Sequence, residues 1–288
     1  MHIPFTKVEA IGNNFVLINA LGLPAMNWPV LARRMSAPHF GAGSDGLLVL
    51  SESTTADFRL RMFNPDGTED VCGNGMRCAA IYVHRKGLIA PEAVAFEANS
   101  GIVRAEIIAG AGGRPAARVN MGIPSMHPKD IPISLGLEQV VNYPIEVGGE
   151  TYPVTCVLVG TPHAVIFADL HFFWDKIPHA SALLEVHSLF PERISVTWCF
   201  VESGDSLVIR TWERGVGPTM GCGTGACAAL VAANLRGLAG ARACVRSPGG
   251  VLEIEWPDRG EIFAAGPANI VFEGEWPVAK DEETESGK

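Results

Sequence analysis

Two short segments carry the residues that could do chemistry. Cys72-Gly73-Asn74-Gly75-Met76-Arg77-Cys78-Ala79-Ala80 and Cys222-Gly223-Thr224-Gly225-Ala226-Cys227-Ala228-Ala229-Leu230 each begin Cys-Gly-x-Gly and run into an Ala-rich apolar stretch. A helix start exposes unsatisfied backbone N–H groups and partial positive charge. Glycines there let a ligand approach the backbone closely, which makes a cradle for a carboxylate or phosphate, and a cysteine at such a position has its thiolate favoured. Two equivalent thiols facing one another across a shared cleft suit one reaction class, in which a proton leaves one face of a carbon and another returns to the opposite face. One thiol acts as the base and the other as the acid. Backbone N–H groups around Gly73-Asn74 and Gly223-Thr224 would stabilise the charge that a carbanion spreads into an adjoining carboxylate. That role removes the need for an electron-sink cofactor, so none is expected.

The elements that must position these thiols follow from a repeat. Cys222 follows Cys72 by 150 positions, and each motif closes at the same distance with a basic residue, Gly and Leu, as Lys86-Gly87-Leu88 and Arg236-Gly237-Leu238. Upstream, Phe58–Asn64 and Leu207–Arg214 are both alternating strand patterns that place Asn64 level with Arg214. Further out, Gly12-Asn13-Asn14-Phe15 pairs with Gly160-Thr161-Pro162-His163, and Ser100-Gly101-Ile102-Val103 with Gly249-Gly250-Val251-Leu252. Matches in register at this many points read as a tandem duplication. Strands are expected over Phe15–Asn19, Gly46–Leu50, Phe58–Phe63, Val154–Val159 and Ser195–Val201. A helix of about 12 residues should follow each Cys-Gly-x-Gly and stop at Gly87 or Gly237, with shorter helices over Trp28–Arg34 and His179–His187. The expected architecture is α+β: two pseudo-symmetric halves, each a curved, mostly antiparallel sheet around a central helix. The halves are placed at 1–125 and 126–275, the closing strand being free to pair with the first half. Residues 276–288 form an acidic and flexible tail.

Composition narrows the class. The 288 residues are 48% hydrophobic with a net charge of −9, and no Lys/Arg cluster appears, which argues against a nucleic-acid partner. No apolar run reaches 18 residues, so no membrane span is expected, and the N-terminus does not read as a signal peptide. The seven cysteines are odd in number and contain no Cys-x-x-Cys. That points to free thiols in a cytoplasmic protein and to no metal site. Cys78, Cys156, Cys199, Cys227 and Cys244 read as small buried hydrophobes. Gly-x-Gly alone lacks the third glycine and following acid of a dinucleotide fingerprint.

On these residues the chain resembles the diaminopimelate epimerase family. Asn64-Pro65-Asp66-Gly67-Thr68-Glu69 leading to the Cys72 motif looks like its first active-site motif, and Trp212-Glu213-Arg214-Gly215 leading to the Cys222 motif like its second. Gly12-Asn13-Asn14-Phe15 and Gly266-Pro267-Ala268 with Val271-Phe272-Glu273-Gly274 resemble its first and last strands. The resemblance implies cofactor-independent epimerisation of LL-diaminopimelate to meso-diaminopimelate, for lysine and peptidoglycan precursor synthesis, commonly by a homodimer. It implies Cys72 and Cys222 as the catalytic pair. Asn13, Asn64, Gly73, Asn74, Thr161, Ser195, Glu213, Arg214, Gly223 and Thr224 become substrate-binding positions, with His163 and Glu213 tuning the thiols' protonation. Glu213-Arg214 could meet a zwitterion, carboxylate accepting from ammonium and guanidinium gripping carboxylate.

Three departures stand out. The family's usual asparagines, which hold the far end of the substrate, are Thr161 and Ser195 here, and its Gly-Glu-Thr is Gly217-Pro218-Thr219. Neither short hydroxyl replaces an amide's reach and paired donor and acceptor, so a racemase for another amino acid, such as histidine, is the alternative on this scaffold. A non-catalytic amino-acid-binding protein is a further one.

Overall fold

The computed structural model describes residues 1–89, 92–169, 177–279 and 282. The chain divides into two compact units, Met1–Val119 with the chain from Gly266 onward, and Asn120–Ala265. In the first unit lie β1 (His2–Ala10), β2 (Asn13–Asn19), α1 (Trp28–Ser36), β3 (Leu47–Ser51), β4 (Phe58–Phe63), β5 (Glu69–Asp70), α2 (Gly73–Arg85), β6 (Ala93–Ala98), β7 (Gly101–Ala109) and β8 (Pro115–Asn120). In the second lie β9 (Tyr143–Val147), β10 (Glu150–Val159), β11 (Thr161–Phe167), α3 (Ile177–Glu185), β12 (Ser195–Ser203), β13 (Ser206–Glu213), β14 (Gly217–Thr219), α4 (Gly223–Leu235), β15 (Arg242–Ser247), β16 (Gly250–Glu255) and β17 (Phe263–Pro267). A last strand, β18 (Asn269–Pro277), returns to the first unit.

The duplication is written in the strand pairing. In the first unit β1 pairs antiparallel with β2, β2 parallel with β3, β3 antiparallel with β4, β4 antiparallel with β5 and parallel with β6, and β6 antiparallel with β7. In the second unit β10 to β16 repeat that sequence of pairings in the same order and sense. The two parallel pairs in each unit need crossover connections. α1 bridges β2 to β3 as α3 bridges β11 to β12, and α2 lies between β5 and β6 as α4 lies between β14 and β15. Antiparallel β18 on β1 matches antiparallel β9 on β10. The closing strand of one unit therefore comes last in the chain while that of the other comes before its unit's other strands. This is why residues 266–275, expected with the second half, build onto the first.

Each buried helix is bounded by the same local devices. Cys72 and Cys222 are the N-cap residues of α2 and α4, both extended at φ −134° and −126°. At the other end Gly87 (φ +63°) donates to His84 O and Leu88 to Val83 O. In the second unit Gly237 (φ +68°) donates to Asn234 O and Leu238 to Ala233 O. Both ends are Schellman caps, which explains the repeated basic-Gly-Leu. α2 packs against β1 to β4, β7 and β18, and α4 against β10 to β13, β15 and β16. A sheet meeting one helix from six strands wraps around it, and α4 is apolar on every side because every side is covered. Ala226 to Ala233 are all buried, each larger aliphatic contributing about 1.5–3 kcal/mol. The outer helices cover a second core in each unit: α1 with Leu31 and Met35 against Val16, Ile18 and Phe63, and α3 with Leu184 against Trp198 and Ile166. No described helix is long and apolar enough to cross a membrane.

Four expectations change. α3 begins at Ile177 and ends at Glu185 rather than running over His179–His187. Pro178 fits a first turn, where its missing N–H has no helical partner. Cys244 is exposed, because β15 alternates and places it on the outward face. Of the tail expected to be flexible, β18 extends to Pro277 and Val278 N donates to Met1 O. Glu282 is fully buried, its carboxylate accepting from Trp276 Nε1, Ala279 N and Arg34 Nη1. Residues 280, 281 and 283–288 of that tail lie outside the described residues. Finally, register sets Phe63, opposite Leu47, level with Trp212, opposite Val196. Asn64 is thus equivalent to Glu213, not Arg214. The extra residue of the second unit falls between β14 and Cys222, where Met220-Gly221 stand against Val71 alone.

Candidate active site

In the first unit the site grows from the β1–β2 hairpin and the start of α2. The hairpin turns at Ile11 (φ +48°) and Gly12 (φ +82°), two consecutive positive φ values that set Ala10 opposite Asn13. Asn13 thereby enters β2 beside the helix start. Its Oδ1 accepts from Cys72 Sγ at 3.6 Å and from Asn74 Nδ2 at 3.1 Å, while its Nδ2 donates to Asp45 Oδ2 at 2.9 Å. The same Asp45 oxygen accepts from Asn14 N and Asn14 Nδ2 at 2.8 and 2.9 Å. A carboxylate only accepts, so Asp45 holds the Asn13 nitrogen toward itself and leaves the amide oxygen on the thiol. Asn74 is oriented in turn by fully buried Arg77, whose guanidinium donates to Asn74 Oδ1. Cys72 itself is half-buried. Asn64 closes the turn after β4, its Nδ2 donating to Thr68 Oγ1 at 3.1 Å and its backbone exchanging bonds with Thr68 and Gly67.

The second unit builds a different surrounding on the same backbone. Cys222 is buried, and its Sγ accepts from Gly225 N at 3.4 Å, satisfying one orphan donor of the first helical turn. Thr224 is a hub: its Oγ1 lies 3.2 Å from Cys222 Sγ, 2.9 Å from His163 Nε2 and 3.0 Å from Thr161 Oγ1. Thr161 Oγ1 is also 3.2 Å from His163 Nε2, and His163 Nδ1 is 3.0 Å from Thr197 Oγ1. His163 is fully buried. Desolvation, assisted by the charge of Arg214, lowers its pKa from 6.5 to about 3, so the ring is neutral at ordinary pH. It hydrogen-bonds at both nitrogens rather than carrying charge.

Ser195 and the Glu213-Arg214 pair meet at the next turn. Ser195 Oγ accepts from Arg214 N at 3.0 Å, and Arg214 Nη1 donates to Glu192 O at 3.1 Å. The turn is held from α3 by Glu185, which accepts from Trp212 Nε1 and Gly215 N. Gly73 with Asn74, and Gly223 with Thr224, are the first residues of α2 and α4. Their N–H groups precede the first i→i−4 bonds, which run from Met76 to Cys72 and from Ala226 to Cys222. Among the described residues no group of three or more His, Cys, Asp or Glu side chains is gathered as a metal site would require.

Each unit thus brings together its share of the expected residues: Cys72, Asn13, Gly73 and Asn74 in one, Cys222, Gly223, Thr224, Thr161 and His163 in the other. Ser195, Glu213 and Arg214 share one turn. Asp45, Arg77, Glu185 and Thr197 were not anticipated as site residues. Only Thr197 carried a signal, since it stands two positions from Ser195 in a segment expected to be a strand and so shares its face. At Thr161 and Ser195, noted from the sequence as departures from the resemblance, both hydroxyls are engaged inside the protein, one on His163 and Thr224 and the other on the backbone of Arg214.

A sequence profile of the family described as Diaminopimelate epimerase matches residues 5–127 and 155–271. The chain is 44% identical to a curated diaminopimelate epimerase of Desulforudis audaxviator, over 94% of this chain and 98% of that protein. It is 40% identical to one of Pelotomaculum thermopropionicum, over 95% and 98%. Among solved structures it is similar in fold to a phenazine biosynthesis protein of the PhzF family from Bacillus anthracis, with TM-score 0.71, 16% identity and coverage of 96% of this chain and 100% of that one. It is likewise similar to a hydroxyproline epimerase from Agrobacterium vitis, with TM-score 0.70, 16% identity and coverage of 95% and 92%.

Proposed function

The chain belongs to the diaminopimelate epimerase family, and from that premise we propose that it carries LL-diaminopimelate to meso-diaminopimelate with Cys72 and Cys222 as its proton-transfer pair. In one direction the thiolate of one cysteine takes the Cα proton and becomes a thiol, leaving the electron pair on the α-carbon and its carboxylate. The thiol of the other cysteine then gives its proton to the opposite face and becomes a thiolate. The configuration at Cα inverts and the two cysteines exchange protonation states, so the reverse reaction uses the same groups in opposite roles. Backbone N–H groups at the starts of α2 and α4 would stabilise the carboxylate charge as it grows, and Glu213 and Arg214 are assigned to the ammonium and carboxylate of the reacting end.

The observation that carries this reading is the recurrence of one N-cap cysteine in each unit, at equivalent places in an identical order of strand pairings. Full-length likeness to enzymes named diaminopimelate epimerase supports that substrate over another amino acid. The test is incubation of purified protein with LL- or meso-diaminopimelate in D₂O under reducing conditions. Deuterium should enter Cα, and Cys72→Ala and Cys222→Ala should each abolish turnover. Absence of label with either isomer, alongside label in another amino acid from a panel, would move the assignment to that amino acid. Free thiols throughout support a cytoplasmic setting, and a homodimer is proposed by family likeness; sedimentation of the purified chain checks the latter.

A further inference from the structure

We infer that Glu185 is a positioning residue for the reaction, acting through the turn that carries Glu213 and Arg214. Glu185 is the last residue of α3 and is 5% exposed. Its Oε2 accepts from Trp212 Nε1 at 2.7 Å and its Oε1 from Gly215 N at 2.7 Å and Arg193 Nη2 at 2.6 Å. The two carboxylate oxygens therefore grip the residue just before Glu213-Arg214 and the residue just after it. The Glu185 backbone O accepts from Ile194 N at 3.1 Å, next to Ser195, whose hydroxyl accepts from Arg214 N. The anchors of Trp212 and Gly215, on either side of the pair, thus converge on the end of α3.

The chemistry singles out a carboxylate. All three partners donate, so the position needs two oxygens that accept and no hydrogen that donates. A buried carboxylate with three donors, one of them a guanidinium, is among the stronger hydrogen-bonded arrangements in a protein. Gln in its place keeps length and volume but turns an NH₂ against one of those donors. With its amide oxygen on Gly215 and Arg193, the clash falls on Trp212 Nε1 and the turn shifts. Misplacement of a binding group by about 1 Å is enough to cost about 100-fold in rate.

This inference rests on the assignment of Glu213 and Arg214 to the substrate, and the test separates the two. Glu185→Gln in the full chain should lower kcat/KM by about 10- to 100-fold, with KM for diaminopimelate raised. Trp212→Phe removes the donor that the Gln amide would oppose. Adding it to Glu185→Gln should restore kcat/KM to within about threefold of Trp212→Phe alone, with kcat/KM taken per folded enzyme and checked by thermal unfolding so that loss of folded protein cannot mimic the effect. In an Arg214→Ala background, Glu185→Gln should have little further effect on the residual Cα exchange. Unchanged kinetics for Glu185→Gln with a damaged Arg214→Ala would overturn the role of Glu185 alone, as would failed rescue or additive losses. Unchanged kinetics for Arg214→Ala would overturn the substrate assignment and the inference with it.

Discussion

Replacing Thr224 by valine keeps a β-branched side chain at the second helical position of α4 and deletes one hydroxyl. That hydroxyl has three neighbours: Cys222 Sγ at 3.2 Å, His163 Nε2 at 2.9 Å and Thr161 Oγ1 at 3.0 Å. After the change His163 Nε2 keeps Thr161 at 3.2 Å, and Cys222 Sγ keeps the Gly225 N–H at 3.4 Å. What disappears without replacement is a hydrogen bond to the sulfur that, on the proposed mechanism, carries charge during turnover. Hydrogen bonds to charged groups contribute about 1.5–3 kcal/mol, which is about 10- to 150-fold in kcat/KM. The equilibrium between the two isomers is set by the substrates alone, so kcat/KM must fall by the same factor in both directions. Thr224→Ser, which retains the hydroxyl, should stay within about threefold of the parent. The assay is kcat/KM from each isomer together with Cα deuterium exchange and thermal unfolding. A valine variant as active as the parent would refute the claim that this hydroxyl serves Cys222, and so would a serine variant as poor as valine at unchanged thermal midpoint.

A Cβ at Gly225 would lie 2.9 Å from Thr211 Oγ1, 3.0 Å from Thr197 Oγ1 and 3.3 Å from His163 Cε1, whereas one at Gly75 would meet the mobile end of Leu48 at 2.9 Å; steady-state kinetics should show Gly225→Ala losing about tenfold or more in activity and Gly75→Ala within about threefold, since both gain about 1 kcal/mol of helix propensity. His163 has a folded pKa near 3 against 6.5 unfolded, so the unfolded state binds the extra proton between those values; its contribution is fully present above pH 6.5 and is lost as pH falls toward 3, at up to about 1.4 kcal/mol per pH unit. Denaturant titrations should show that slope reduced in His163→Phe, the residue type found at the equivalent Phe15. Glu282→Ala should destabilise by about 2–3 kcal/mol by stranding the Trp276 and Ala279 donors, read by chemical unfolding. If both thiols serve one α-carbon, mild oxidation should join Cys72 to Cys222, with activity lost and then restored by dithiothreitol; peptide mapping that finds no such bridge, with activity indifferent to reductant, counts against the pair.

What the sequence made legible is local. The N-cap cysteines, the glycines after them and the Lys86-Gly87-Leu88 and Arg236-Gly237-Leu238 stops are each decided within a turn of helix, and α2 and α4 run where those signals put them. Strand positions followed from alternation, though alternation alone did not settle that Cys244 faces outward. Asp45 was hidden because it lies 32 positions from Asn13, beyond β2 and α1, and nothing about an aspartate between Ser44 and Gly46 distinguishes it from a turn residue. Glu185 was hidden for a related reason: its partners come within reach only once β11 and β12 pair in parallel and α3 crosses between them. The one-residue offset of Asn64 against Arg214 was a failure of pattern matching across an insertion, which strand register corrects because opposite residues cannot slip by one without reversing faces.

Register also exposes where the duplicated halves part. Leu17 opposite Leu48 and Val165 opposite Thr197 occupy matching places, as do Leu48 opposite Met62 and Thr197 opposite Thr211. Beneath the helix start the first unit therefore carries Phe15, Leu48 and Met62 where the second carries His163, Thr197 and Thr211. Consistently, Gly75 abuts Leu48 and Gly225 abuts Thr197, Thr211 and His163. Burying polar groups is unfavourable unless they are paired, and Thr211 Oγ1 is buried with no partner among the described residues, so this hollow is not the arrangement that packing alone would favour. Its outcome is a difference in what meets each sulfur. Asn13 Oδ1 can only accept, and Asp45 prevents the amide from turning over. The Thr224 hydroxyl can donate or accept, and behind it a neutral imidazole can do either at each nitrogen. On the proposed mechanism both sulfurs alternate between protonated and ionised forms, and the two surroundings meet that demand differently: the Thr224 hydroxyl can serve either form of Cys222, while Asn13 Oδ1 accepts from Cys72 only as an S–H. The likeness of the two units thus resides in the backbone, and side chains set them apart: Phe15, Leu48 and Met62 against His163, Thr197 and Thr211 beneath the helix start, and Asn13, Asn74 and Asp45 against Thr161 and Thr224 around the cysteine.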